Sequence, residues 1–240
     1  MNKNNKQGII VDGSIRSAGV TFYTKQGQTI VRSATSRQPK RRTRNQFVQR
    51  QRLAHSMSIW FYIRDISSRM LSGRKNTYNC FMSMAAKLPP VYLTSYENAC
   101  GMALLMPGIP VSCGTLTDIV YSLGSTGPSP ALLTGLAPDD LHSRETLLLV
   151  TLRQLAEADM LMLGAEARNV DAADFTVVDG RLVLVGDEFG DDHCGWALVR
   201  RRGALCSTQT VVTASTAYRA YQTDEALLRA AESYGGLTAP

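Results

Sequence analysis

A chain of 240 residues with 44% apolar content is long and apolar enough to bury a core, which excludes a wholly disordered protein. Five cysteines, widely spaced and without a C-x-x-C pair, exclude a disulfide framework and a zinc module, and most of them read as small core residues. The net charge of +6 is segregated: residues 1–75 hold sixteen Lys/Arg against Asp12 and Asp65, while residues 76–240 hold ten against eighteen Asp/Glu, so the two parts carry about +14 and −8.

The opening Met1–Gln7 lacks an apolar segment of signal-peptide type, and the most apolar later stretch, Ala99 to Val111, is too short to span a membrane and is interrupted by Pro107 and Pro110. A soluble protein made in a cytoplasm is expected. Residues 8–35 are rich in Gly, Val, Ile, Thr and aromatics. Val20–Tyr23 and Thr29–Arg32, with Lys25-Gln26-Gly27-Gln28 between them, read as a β-hairpin, preceded by a short strand near Gly8–Gly13. Such a hairpin has no core of its own and needs a host surface. Gln38-Pro39-Lys40-Arg41-Arg42-Thr43-Arg44 then reads as an exposed basic linker.

From Asn45 to Leu71 there is neither Gly nor Pro, and Ile59, Ile63, Ile66 and Met70 recur at the spacing of one helical face. One long helix is predicted, its first half (Gln46 to Arg52) at a surface and its second half, with Trp60, Phe61 and Tyr62, buried in a core or between subunits. Beyond Tyr78 come short apolar runs: Val91–Leu93, Ala103–Met106, Ile119–Tyr121, Leu147–Val150, Phe175–Val178, Leu182–Val185, Ala197–Val199 and Thr210–Val212. Strands at this density favour a β-sandwich-like body. Hairpins are predicted at the Asp179-Gly180 turn and around Arg201-Arg202-Gly203, Gly124 to Pro130 is read as a loop, and Leu147 to Ala156 also satisfies a helical reading. Thr223 to Glu232 is a capped helix stopped by Gly235-Gly236. The expected organisation is a basic arm at 1–44, a long helix at 45–75, a body at 76–215 and a C-terminal helix and tail at 216–240, with a boundary near residue 75.

The chain offers little for catalysis. His55, His142 and His193 belong to no metal-binding pattern, and Asp191-Asp192-His193-Cys194 is the one place where ligand types gather. On a strand, four consecutive residues alternate between faces, so a polar loop is expected there instead. Asp139-Asp140 and Asp187-Glu188 read as solvated loop carboxylates, and no nucleophile elbow, phosphate loop or dinucleotide fingerprint occurs. Neither an enzyme nor a cofactor is indicated. The candidate interaction residues are therefore Arg32, Lys40, Arg41, Arg42, Arg44, Gln46, Arg50 and Arg52, suited to carboxylates of neighbouring subunits or to phosphate backbone without sequence readout.

Several segments resemble an uncharacterised family encoded by phages, prophages and mobile elements of Bacteroidetes, including crAss-like phages. They are the Gly8…Gly13…Gly19 opening, Val31-Arg32-Ser33, Thr43…Gln46…Arg50, Tyr78-Asn79-Cys80-Phe81, Val111-Ser112-Cys113-Gly114-Thr115-Leu116, Gly195 to Arg200, Cys206-Ser207-Thr208-Gln209 and Ser233-Tyr234-Gly235-Gly236. Lys40-Arg41-Arg42 departs from the Asn-Pro-Arg type of motif more usual there. The resemblance implies a structural virion protein made in the host cytoplasm, an oligomeric subunit of the head–tail connector or tail rings. Its partners would be copies of itself and portal, connector or tail components, and it implies no catalytic residues. The alternative expectation is a non-sequence-specific nucleic-acid-binding protein using residues 37–52.

Overall fold

The computed structural model describes residues 14–17, 20–25, 28–33, 43–70, 77–141, 144–157 and 160–237, with backbone alone in the first three segments and at 67–70. The chain divides into two compact units, Met1–Arg41 and Arg42–Pro240. In the first, β1 (Ser14–Ser17), β2 (Val20–Lys25) and β3 (Gln28–Ser33) pair antiparallel in that order, β2 and β3 running in register from Val20↔Ser33 to Lys25↔Gln28. The strand read at Gly8–Gly13 lies outside the described residues.

The second unit is mainly β. Its long helix α1 (Arg44–Met70) starts where Thr43 and Gln46 bond reciprocally, Thr43 N–H to the Gln46 side chain at 3.4 Å and Gln46 N–H to Thr43 Oγ1 at 3.3 Å, which satisfies two donors that a helix start leaves unpaired. Then follow α2 (Thr77–Ala85), α3 (Ser95–Ala99), β4 (Pro110–Ser112), β5 (Tyr121–Thr126), β6 (Ser129–Thr134), β7 (Thr146–Glu157), β8 (Met160–Val170), β9 (Thr176–Val178) and β10 (Arg181–Val185). The chain ends with β11 (Cys194–Arg202), β12 (Leu205–Cys206), β13 (Gln209–Thr210), β14 (Val212–Thr213) and α4 (Asp224–Ser233).

The central sheet has the order β12-β11-β7-β8, with β14 also on β11. Both of its faces are buried, and the alternation of a strand divides them cleanly. Leu148, Val150, Leu152, Ala197 and Val199 face a core shared with Ile59 and Ile63 of α1, Phe81 of α2 and the extended segment 102–106. Leu147, Leu149, Trp196 and Leu198 face a second core shared with Leu132, Leu182, Leu184 and Phe189. That second core is closed by the sheet β5-β6-β10-β9. Burial on both sides explains the unbroken Leu/Val run of β7: the helical alternative for Leu147 to Ala156 gives way to a strand because partners on β8 and β11 outweigh local propensity. A third cluster joins α4 to the start of α1, with Phe47 against Ala230, Ala231 and Tyr234.

Turn chemistry fixed the hairpins. Asp179 and Gly180 have φ of 49° and 73° between the paired Val178 and Arg181, as a type I′ turn demands. Gly124 to Pro130 is not a loop. It contains the β5–β6 hairpin, whose ladder runs to Thr126↔Ser129; Gly127 at φ 60° followed by Pro128 suits the first position of a type II′ turn. Val91–Leu93 and Ala103–Met106 are not strands either, although both are buried. Thr223 caps α4 by accepting from Ala226 N–H at 3.1 Å, and Gly236 at φ 83° closes its end on Ala231 O. Among the described residues no helix is long and apolar enough to cross a membrane.

Candidate functional site

The eight candidate interaction residues fall into three groups. Lys40, Arg41 and Arg42 lie outside the described residues, and Arg32 is placed on β3 by its backbone. Arg44 and Gln46 are engaged within the chain: Gln46 in the helix cap, and Arg44 in a 2.6 Å ion pair with Asp224 at the start of α4. That pair is solvent-exposed and contributes little to stability. Arg50 is exposed on the second turn of α1, while Arg52 is half-buried and donates to the Gln49 side chain at 3.2 Å.

The surface expectation for Gln46 to Arg52 is corrected by Phe47 and Gln51, which are both buried. Of the second half, Ile59 and Ile63 are buried within the chain, and an apolar stripe on another face is not. Leu53, Met57 and Phe61, spaced by one helical turn, are 51%, 51% and 60% exposed. Met57 and Phe61 line an open cavity of about 430 Å³ with Ala54, Ser58, Tyr62 and the 98–101 turn. The Arg64 guanidinium lies 5.1 Å over the Phe61 ring, a cation–π contact that shields part of that face.

The face of α1 that does turn inward carries polar groups that the sequence reading did not single out. Gln51 accepts the Leu93 N–H at 2.9 Å, and His55 Nε2 accepts the Leu104 N–H at 3.1 Å. From β7, Gln154 accepts the Leu105 N–H at 2.7 Å and donates to Ala103 O and Met162 O, both at 3.0 Å. These side chains replace the ladder that the buried runs at 91–93 and 102–106 lack, since buried backbone groups need partners. Burial lowers the His55 pKa to about 4, so the imidazole is neutral and Nε2 is the acceptor.

Two of the short motifs meet in space. The Ser112 hydroxyl donates to Ser207 O at 2.8 Å, Gly114 N–H donates to Thr208 Oγ1 at 3.2 Å, and Leu116 N–H donates to Cys206 O at 3.0 Å. A Cβ at Gly114 would overlap the Cys206 carbonyl, so the glycine permits the close approach. These residues clamp β4 to β13.

The Asp191 to Cys194 segment is a turn leading into β11. The Asp191 carboxylate accepts the His193 N–H at 2.8 Å and the Cys194 thiol at 3.3 Å. The His193 N–H, the first cause, holds Asp191 below the usual carboxylate range, while burial pushes the Cys194 thiol up. No group of three or more His, Cys, Asp or Glu is placed to hold a metal ion among the described residues. The Asp140 carboxylate closes its own turn on Ala137 N–H at 2.7 Å, and Glu188 lies 3.9 Å from Arg168. His142 is outside the described residues. What the described side chains offer is surface: an exposed apolar stripe, scattered exposed arginines and an open sheet edge at β8. Comparison with protein-family models, with curated proteins and with solved structures finds no match.

Proposed function

We propose that this chain is a non-catalytic assembly subunit, a structural protein of a tailed-phage virion of the connector or tail-ring kind, which joins its neighbours through its N-terminal unit. The observation that carries this reading is the division of the chain. Residues 1–41 form a compact unit apart from 42–240, built on three antiparallel strands. They hold eight Lys/Arg against Asp12, whereas residues 42–240 hold eighteen Lys/Arg against nineteen Asp/Glu, the acidic excess lying in residues 76–240. A three-stranded sheet needs a hydrophobic face packed on something for stability, and the charge difference favours a host made of residues 76–240 of another copy. Repeated head-to-tail contacts give a closed ring where the rotation closes. Sedimentation velocity and native mass spectrometry on the full chain test the reading: a large symmetric assembly is expected, and a clean monomer at high concentration overturns it.

The exposed Arg50 and Arg44 at the start of α1 favour a second reading, contact with phosphate backbone. Binding to DNA or RNA should then weaken steeply with salt, and absence of binding at roughly 50 mM salt rules it out.

A further inference from the structure

Among the edge strands of the second unit's two larger sheets, β8 is the long one, with eleven residues against six in β5, three in β9 and two in β12 and β14. In an antiparallel ladder each residue turns its N–H and C=O to the same side. Gln154 N–H donates to His193 O at 2.7 Å, toward β11, so Leu163 opposite Gln154 turns its groups outward. Leu161 O, two residues earlier, accepts Ala103 N–H at 2.9 Å on that outer side. The ladder from Glu157↔Met160 to Leu147↔Val170 runs without a shift. Ala165, Ala167 and Asn169 therefore present their backbone groups outward too. Among the described residues no hydrogen bond reaches them there, and Glu166 to Asn169 are all exposed.

Long open edges pair with other strands unless they are blunted. Around this one the exposed charges are Glu157, Glu166, Asp171, Asp174 and Glu188 against Arg153 and Arg168. The complementary strand is in the same chain. β3, six residues long, is an outer strand of its own sheet and carries Arg32, within a segment holding eight basic residues and one acid.

We propose that the outer edge of β8 in one copy receives β3 of a second copy, so that the three-stranded sheet continues its neighbour's central sheet. Backbone pairing supplies the contact, and the acidic rim selects the basic strand. The proposal rests on the assembly reading and names its receiving site.

Two variants of the full chain separate the two claims. Ala167→Pro removes an outward N–H without removing a rung of the β7–β8 ladder, and Ile30→Pro breaks β3. By sedimentation velocity the native chain should assemble, and both variants should sediment as monomers. If Ile30→Pro dissociates the assembly and Ala167→Pro, cooperatively folded, does not, the β8 site is wrong and the arm reading stands. If neither dissociates it, both fall. Hydrogen exchange decides should Ala167→Pro unfold: Ala167 and Asn169 amides should exchange at least roughly tenfold more slowly in the native chain than in Ile30→Pro, with protection rising with protein concentration. Equal rates overturn the proposal, and protection independent of concentration places the strand on its own chain and overturns the second copy.

Discussion

The two faces of the central sheet are closed by different physics. On one, strand packs against strand: Trp196 and Phe189, with ring centroids 5.4 Å apart, fill the space between two hydrogen-bonded sheets, and the partner strands satisfy their own backbone. On the other, helix α1 and the non-strand segments at 91–93 and 102–106 cover the sheet; backbone bonds satisfy them only in part, and Gln51, His55 and Gln154 supply further hydrogen bonds. Where most of the cover is strand, few polar side chains are buried with it: Thr134 donates to Leu182 O at 2.6 Å and accepts the Leu136 N–H at 3.2 Å. Where the cover is irregular chain, polar side chains have to be buried with it.

The comparison can be broken most forcefully at Trp196. Replacing it with alanine should cost about 4 kcal/mol, the sum of lost transfer energy and a cavity, read by urea unfolding. A cost under about 1 kcal/mol would show that the sheet-covered face is loosely filled. Gln154→Leu keeps the volume but strands the groups of Leu105, Ala103 and Met162, and should cost about 3 kcal/mol; an unchanged midpoint would mean that the 102–106 segment does not depend on it.

Acid tests the same face without mutation. His55 falls from about 6.5 in the unfolded chain to about 4 in the folded one. The unfolded chain therefore takes up the proton first. Stability should decline as pH drops from about 6.5 to about 4, by about 3 kcal/mol in all, and His55→Gln should flatten that limb of the pH profile. The smallest effect is expected at Gln51→Ala, which leaves one N–H, that of Leu93, unpaired and should cost about 1.5 kcal/mol in thermal unfolding. No loss there would place water at that donor.

Elements whose signal is local were legible in the sequence. The turn at Asp179-Gly180, the cap at Thr223, and the period of Ile59 and Ile63 each report a short-range constraint, and each matches the fold. What escaped depends on partners far along the chain. Nothing near Gln51 or His55 announces that residues 42 and 49 positions away lack a ladder. Ala103–Met106 is as apolar as a strand, yet beyond the Ala103 N–H bond to Leu161 O its partners are side chains. Gly127-Pro128 was hidden because the same residues write loops and tight turns, and register alone tells them apart. The candidate interaction residues rest on a charge pattern, and the structure adds that Arg44 and Gln46 make bonds within the chain itself.

The side-chain stitches also set an order in time. The β5–β6, β7–β8 and β9–β10 hairpins join neighbours in sequence and should close within about 1–10 μs. Gln154 meets Leu105 across 49 residues, and a loop of that size must be closed before the contact rewards it. The segment at 102–106 is thus expected to settle onto a sheet already formed. Gln154→Leu should then speed unfolding and leave the refolding rate nearly unchanged, with a φ value close to zero.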